Sequence, residues 1–308
     1  MSSPIKTMMS FGDTCWGGTP ETVQAAIDAG ADVNAAVACA TNPNEPDKLP
    51  LVQVLFSNGE HAVAILKVLL DNKADPNKKY SSPVAEAVTL TPTLVTFMLP
   101  KAAVPNLESY IKILLENGGD ANAKVTHTIM EGKNVPFGRS ILEFACWTDL
   151  STPVIQLLLE KGADPDHTTE DGGQRMKGSF PLFEAAKKGN SDNVKALIQA
   201  GCKKLMHPYA GSPLMVAAFK GSLDVVNQLL AMGYDVNSLD GLDQDALMTA
   251  ARGGSVECCK ALIEAGADPN RNSKIGMCCT KIAKKNGHME CYAFLRPLRE
   301  KTNRCVIA

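Results

Sequence analysis

The stretch FPLFEAAKKGNSDNVKALIQAGC, residues 180–202, decides the fold. Pro181 presets the backbone for a first helical turn. Leu182, Ala185 and Ala186 give that helix a narrow apolar face, and Gly189 stands where a helix ends in a left-handed residue. Asp192 opens a second helix in which Val194, Leu197 and Ile198 fall at helical spacing, and Gly201 stops it. The segment therefore reads as two short antiparallel helices. Neither can bury its apolar face alone, so the pair needs neighbours, and its small alanines allow close stacking.

The neighbours are present along the whole chain. IDAGADVNA (27–35), LLDNKADPN (69–77), LLENGGDANA (114–123), LLEKGADPD (158–166), LIQAGC (197–202), LLAMGYDVNS (229–238) and LIEAGADPN (262–270) repeat one turn. Taking the glycine or its equivalent at 30, 73, 118, 162, 201, 233 and 266, the intervals are 43, 45, 44, 39, 32 and 33 residues. A period in this range means stacked supersecondary units. Equivalent units begin at Pro50, Pro83, Ser140, Pro213 and Ala246. The first (near Met8–Gly30) and the last (277–298) are irregular, as terminal caps are.

Over roughly residues 10 to 300 the chain resembles the ankyrin repeat family, whose unit is about 33 residues. The resemblance implies an all-α ankyrin-repeat solenoid of seven to eight units over 1–298, followed by a flexible tail, 299–308. It also implies a non-enzymatic scaffold, expected as a monomer, that binds a protein partner across hairpin fingers and a concave face. One departure stands out. The family's Thr-Pro-Leu-His tetrad recurs here as LPLV, SPVA, SILE, FPLF, SPLM and DALM, and no unit keeps the histidine. Its hydrogen bonding is lost with it, which bears on stability rather than fold.

The longer intervals leave extra residues at 35–48, 91–106, 124–139 and 167–179. Three of these lie between units, where the family carries its fingers, and KVTHTIM-EGKN-VPFG (124–138) alternates like a strand pair around a turn. The insertion at 91–106 is placed between the two helices of the third unit, where Pro92, Pro100 and Pro105 argue against one continuous helix.

Composition narrows the function. Hydrophobic residues are 45% and charged ones 21%, enough for a core without disulfides. Ten cysteines form no CxxC pair, and the five histidines are scattered, so no metal or other cofactor is expected and a reduced cytoplasmic chain is. No Gly-rich phosphate loop, HExxH or GxSxG occurs. The local pair His288 and Cys291 reads as packing of the last unit, so no catalytic residue is assigned.

A row of cations recurs at 32-residue steps: Lys188, Lys220, Arg252 and Lys284. Each falls at a helix end, where it offsets the helix dipole, and the row also offers a positive edge to an acidic partner or lipid headgroups. Nucleic acid is not expected, because aromatic residues are 5% and none interleaves with the lysines. Trp147 is the candidate anchor for a protein contact. Phe183, in the place of the family histidine, is a candidate contact or a buried packing residue. Leu229, Asp235, Val236 and Asn237 match the context that the resemblance associates with asparaginyl hydroxylation; alternatively Asn237 only shapes its turn.

The chain closes on CVIA, Cys305 to Ala308, which is similar to a CaaX prenylation box, with Ala308 favouring farnesyl. The repeats are expected to end near Pro297, leaving a polar tail. Between Lys281 and Arg304 there are seven Lys and Arg against two acids, so an anionic membrane surface is the expected second partner. The alternatives are a soluble adaptor or inhibitor with an incidental cysteine, or a microbial effector using host lipid machinery.

Overall fold

The computed structural model describes residues 10–37, 48–57, 59–81, 89–98, 104, 106–130, 133–148, 150–169, 178–203 and 205–305. The chain divides into two units, Met1–Val135 and Pro136–Ala308. The first holds α1 (Phe11–Gly17), α2 (Pro20–Asp28), α3 (Pro50–Leu55), α4 (Ala62–Asp71), α5 (Pro92–Met98) and α6 (Leu107–Glu116), with strands β1 (Tyr80–Ser81), β2 (Thr89–Leu90) and β3 (Lys124–Met130). Strand β4 (Lys133–Ser140) crosses the boundary. The second unit continues with α7 (Ile141–Thr148), α8 (Thr152–Glu160), α9 (Pro181–Lys188), α10 (Ser191–Gln199) and α11 (Pro213–Lys220). It ends with α12 (Leu223–Ala231), α13 (Ala246–Gly253), α14 (Val256–Glu264), α15 (Cys279–Lys285) and α16 (Met289–Cys305).

Local chemistry explains why these helices are short and where they start. Ser10 and Thr19 form capping boxes, Ser212, Asp245 and Ser255 accept from the third backbone N–H of their helices, and Pro181 and Pro213 occupy first-turn positions. Gly189 and Gly221 end α9 and α11 in the left-handed conformation. The odd-numbered helices pack on one another within each unit, α1 on α3 on α5 and α7 through α15 in series. The even-numbered helices do the same. Each unit therefore has a core along its own helices: Leu66 and Leu114 are fully buried in the first, and Ile155, Leu197, Leu229 and Leu262 in the second, where Ala185, Ala217 and Ala250 let the first helices approach closely. Each buried leucine contributes roughly 1.5–3 kcal/mol.

The repeated turn is also a staple between repeats. Asn77 Nδ2 donates to the Gly118 carbonyl (2.8 Å) and the Asp120 N–H donates back to Asn77 Oδ1 (2.8 Å). Asn34 makes the same pair of bonds to Lys73 and Asp75, and Asn237 makes it to Gly266 and Asp268. At the first turn position Lys73 adopts φ 69°, the left-handed conformation that glycine supplies at Gly30, Gly118 and Gly266.

Two expectations need correction. The third unit does not begin at Pro83. Its first helix is α5, starting at Pro92, with Thr93 and Val95 buried and α3 packed against it. β1 and β2 pair antiparallel just before it, in a lengthened finger, while 99–106 still separate α5 from α6; 82–88, 99–103 and 105 lie outside the described residues. Secondly, α16 does not stop near Pro297 but carries that proline inside the helix and reaches Cys305.

β3 and β4 form a two-stranded sheet. Val37 and Lys48 bridge the base of 35–48, and Thr169 exchanges backbone hydrogen bonds with Ser179 and Gly178 at the base of 167–179. Residues 38–47 and 170–177 lie outside the described residues.

Candidate interaction surface

In the second unit, fingers precede α9, α11, α13 and α15, and each touches the next. A Cβ on Gly178 would strike the Pro208 ring, and one on Gly211 would sit 3.2 Å from Asp240 Cβ. Further along, the Lys274 N–H donates to the Leu242 carbonyl (3.3 Å) and Lys274 Nζ lies 3.5 Å from Asp243. The loops are closed from within, as by the backbone bonds between His207 and Gly211 and between Ser273 and Met277. Their tips carry apolar side chains in water: Tyr209 is 56% exposed, Leu242 54% and Ile275 72%. Periodicity did not find these residues, because they sit in loops; apolar residues inside Asp- and Gly-rich segments such as SLDGLDQD (238–245) were the available signal.

The basic row is continuous in space. A Cβ on Gly189 would meet Ser222 Oγ and Lys220 Cγ, one on Gly221 would meet Ser255, and one on Gly254 would meet the His288 ring. The ends of α9, α11, α13 and α15 therefore form a column, and Lys187, Lys188, Lys220, Arg252, Lys284 and Lys285 all lie in last turns. That placement favours them electrostatically at the helix C-termini. Lys188, Lys220 and Lys285 are exposed, and no ion pair to them occurs among the described residues. Arg252 donates to the neutral Gln244 side chain, and Lys284 Nζ stands 5.8 Å from the Tyr292 ring centre. The finger and the basic edge meet at a cleft of about 190 Å³, lined by Gln244, Arg252, Ile275, Met277, Ile282 and Lys285 among others.

Beneath the surface lies a charge network that sequence inspection missed. Arg139, 2% exposed, stands 3.2 Å from Glu143 and 3.0 Å from Glu184. Thr169 donates to Glu143 (2.5 Å), Ser179 donates to Glu184 (2.8 Å), and Lys187 reaches Glu184 from outside (3.5 Å). Burial pushes the Glu143 carboxyl up to about 7 against the pull of the Arg139 guanidinium. Trp147 is half-buried, with Arg139 Cζ 5.2 Å from its ring centre and Phe144 edge-on at 5.4 Å.

Phe183 is 4% exposed between Phe180 and the His207 ring, which stacks on it at 4.7 Å. It is a packing residue and not a surface contact, because the finger folds His207 over it. His207 Nδ1 accepts from the Tyr209 and Ala210 N–H groups, and burial first of all holds the imidazole below its ordinary pKa, so the ring is neutral and shapes the finger. His288 faces the Arg252 carbonyl at 3.0 Å, bridging two units of the stack. Burial raises the thiols of Cys15 and Cys279 to about 12 and of Cys202 to about 11, leaving them protonated near neutral pH.

The comparisons with known proteins agree with this geometry. The family described as ankyrin repeats (3 copies) matches residues 142–240 and 214–304, together just over half of the chain. The chain belongs to the ankyrin repeat family. It is 29% identical over 160 residues to the zebrafish (Danio rerio) ankyrin repeat and SAM domain-containing protein 6, covering 42% of this chain and 20% of that one. It is 24% identical over 172 residues to the human transient receptor potential cation channel subfamily A member 1, covering 47% of this chain and 14% of the channel. The chain thus spans a fifth or less of the length of these relatives. Ankyrin repeats imply a protein–protein interaction scaffold. No helix of the described residues is long and apolar enough to cross a membrane.

Proposed function

We propose that this ankyrin chain is a non-enzymatic adaptor that holds a protein partner across the finger tips and basic edge of its second unit. The observation that carries the reading is the contact of each finger with the next while Tyr209, Leu242 and Ile275 stay in water. Exposed apolar groups presented in series by hydrogen-bonded loops are costly for a chain with no partner and useful for one that binds. Affinity purification from cells with the intact chain and with Leu242→Asp/Ile275→Asp tests it. Partners retained only by the intact chain support the reading, and identical recovery by both overturns it.

The same reading tethers the adaptor at the cytoplasmic face of a membrane through a prenyl group on Cys305. Supporting it are the Cys-Val-Ile-Ala pattern and the seven-to-two excess of cations between Lys281 and Arg304. One lipid chain binds marginally, and one chain beside a basic patch binds well. Cys305→Ser is expected to move the protein from the membrane to the soluble fraction, and an unchanged distribution overturns the tether. Hydroxylation of Asn237 belongs to the same proposal, and a mass gain of one oxygen on its peptide is the check.

A further inference from the structure

The basic edge and the finger tips are two rims of one surface, and together they specify a partner more narrowly than either does alone. The inference rests on the adaptor reading above and adds the chemistry of what is adapted. We propose that the second unit binds an amphipathic α-helix of its partner, carrying an acidic stripe beside an apolar one, laid across α9, α11, α13 and α15.

The width of the surface fits such an occupant. The rims are separated by the length of the first helices, and α9, α11 and α13 have eight residues each. Eight residues span about 12 Å, and an α-helix with its side chains is about 10–12 Å across. Ile275, Arg252 and Lys285 line one cleft, so the two rims belong to one surface.

The repeat distance fits as well. Successive cations of the row belong to neighbouring first helices, which pack roughly 10 Å apart. Seven residues of an α-helix rise about 10.5 Å and complete nearly two turns, so an acidic residue at every seventh position returns to the same face in register with the row. A flat strand does not do this, because its odd-numbered steps alternate faces.

Charge decides which face of the partner lies where. Asp243 is engaged by Lys274, Asp166 by Lys203, and Glu184 is buried beneath Lys187, so these three acids are neutralised by partners of their own. Lys188, Lys220 and Lys285 have no ion pair among the described residues. Helix capping accounts for where these cations sit, yet it does not account for the apolar tips on the opposite rim. A membrane or nucleic acid would use the cations, but the spaced tips favour a helix with its own apolar stripe.

The experiment is fluorescence anisotropy with the full chain and a labelled synthetic peptide of about three heptads, with Glu at every seventh position beside a Leu stripe. Three control peptides carry the same composition scrambled, Lys in place of Glu, or two central prolines. The expected result is binding of the designed peptide alone, weakened at least roughly tenfold by Lys220→Glu/Arg252→Glu and by Ile275→Glu, and falling as salt rises. Because charge reversal at helix ends also affects stability, the neutral pair Lys220→Gln/Arg252→Gln is measured beside it, with helical circular dichroism as the fold control.

Absent binding, equal binding of the scrambled or proline peptide, or full affinity in a folded rim variant overturns the inference. So does displacement of the peptide by phosphatidylserine vesicles or by DNA at equal charge concentration, which would assign the edge to those partners. Should the rim charge variant keep a cellular partner while the peptide fails to bind, the adaptor reading stands and only the helical occupant is lost.

Discussion

Arg139 and Glu184 form a buried ion pair at 3.0 Å that joins the finger strand β4 to α9 of the following repeat. No unit here retains the histidine of the family's Thr-Pro-Leu-His tetrad. A second carboxylate, Glu143, shares the same guanidinium at 3.2 Å. Charge pairing thus joins repeats that lack the family's usual polar link, and this has consequences that can be measured.

Removing the shared cation leaves two buried carboxylates facing each other. Arg139→Met is expected to destabilise the second unit by roughly 3–5 kcal/mol, because an uncompensated buried charge costs more than the pair contributes. Urea unfolding followed by circular dichroism measures it.

Stability should fall as pH rises through neutrality. The Glu143 carboxyl is raised from 4.5 in the unfolded chain to about 7 in the fold, so its protonated form favours folding. That contribution is fully present below pH 4.5 and is lost as pH rises through about 7. Glu143→Gln holds a neutral group there at all pH. The difference in unfolding free energy between variant and parent is expected to shift by about 1–3 kcal/mol in the variant's favour from pH 5 to pH 8.

The inter-repeat asparagines carry their own share. Asn77→Ala removes both bonds to the next turn, and Asn237→Ala does the same in the second unit. Each should cost about 1–2 kcal/mol, read as a lower denaturant midpoint with unchanged slope.

Lys73 offers the opposite sign. Its φ of 69° is a conformation in which a side chain is disfavoured, so Lys73→Gly should stabilise the first unit by about 0.5–1 kcal/mol, offset in part by the freer unfolded chain. Thermal unfolding resolves the change.

Much of the fold was legible because its signals are local. The period of the turn, the proline-started first helices and the glycine stops lie within about ten residues of one another, and helix formation depends on that range. The third unit shows where this fails. SPVA (82–85) reads as the first-helix start and 91–106 as an insertion, yet TPTL (91–94) carries proline at the same place in its tetrad, and the packing of α3 on α5 shows that the first helix starts there. The run of α16 past Pro297 was missed for a related reason: a single proline disfavours a helix but does not always end it.

The candidate surface was half legible. The cation row was visible because it rides on the helix period, whereas Tyr209, Leu242 and Ile275 sit in fingers of different sequence. Trp147 and Phe183 stood out as aromatic residues, yet burial against Arg139 and His207 could not be seen from their neighbours in sequence.

The amino-acid sequence by itself determined that this chain is a stack of helix pairs, since short amphipathic helices with fixed stops have no other way to cover their apolar faces. Only the tertiary structure decided which side chains remain for a partner. Residues 139, 143, 169, 179 and 184 share one buried network through folding over a finger, and the fingers expose their tips through contact with the next repeat. Burial and charge pairing are properties of neighbours in space, which no local period encodes.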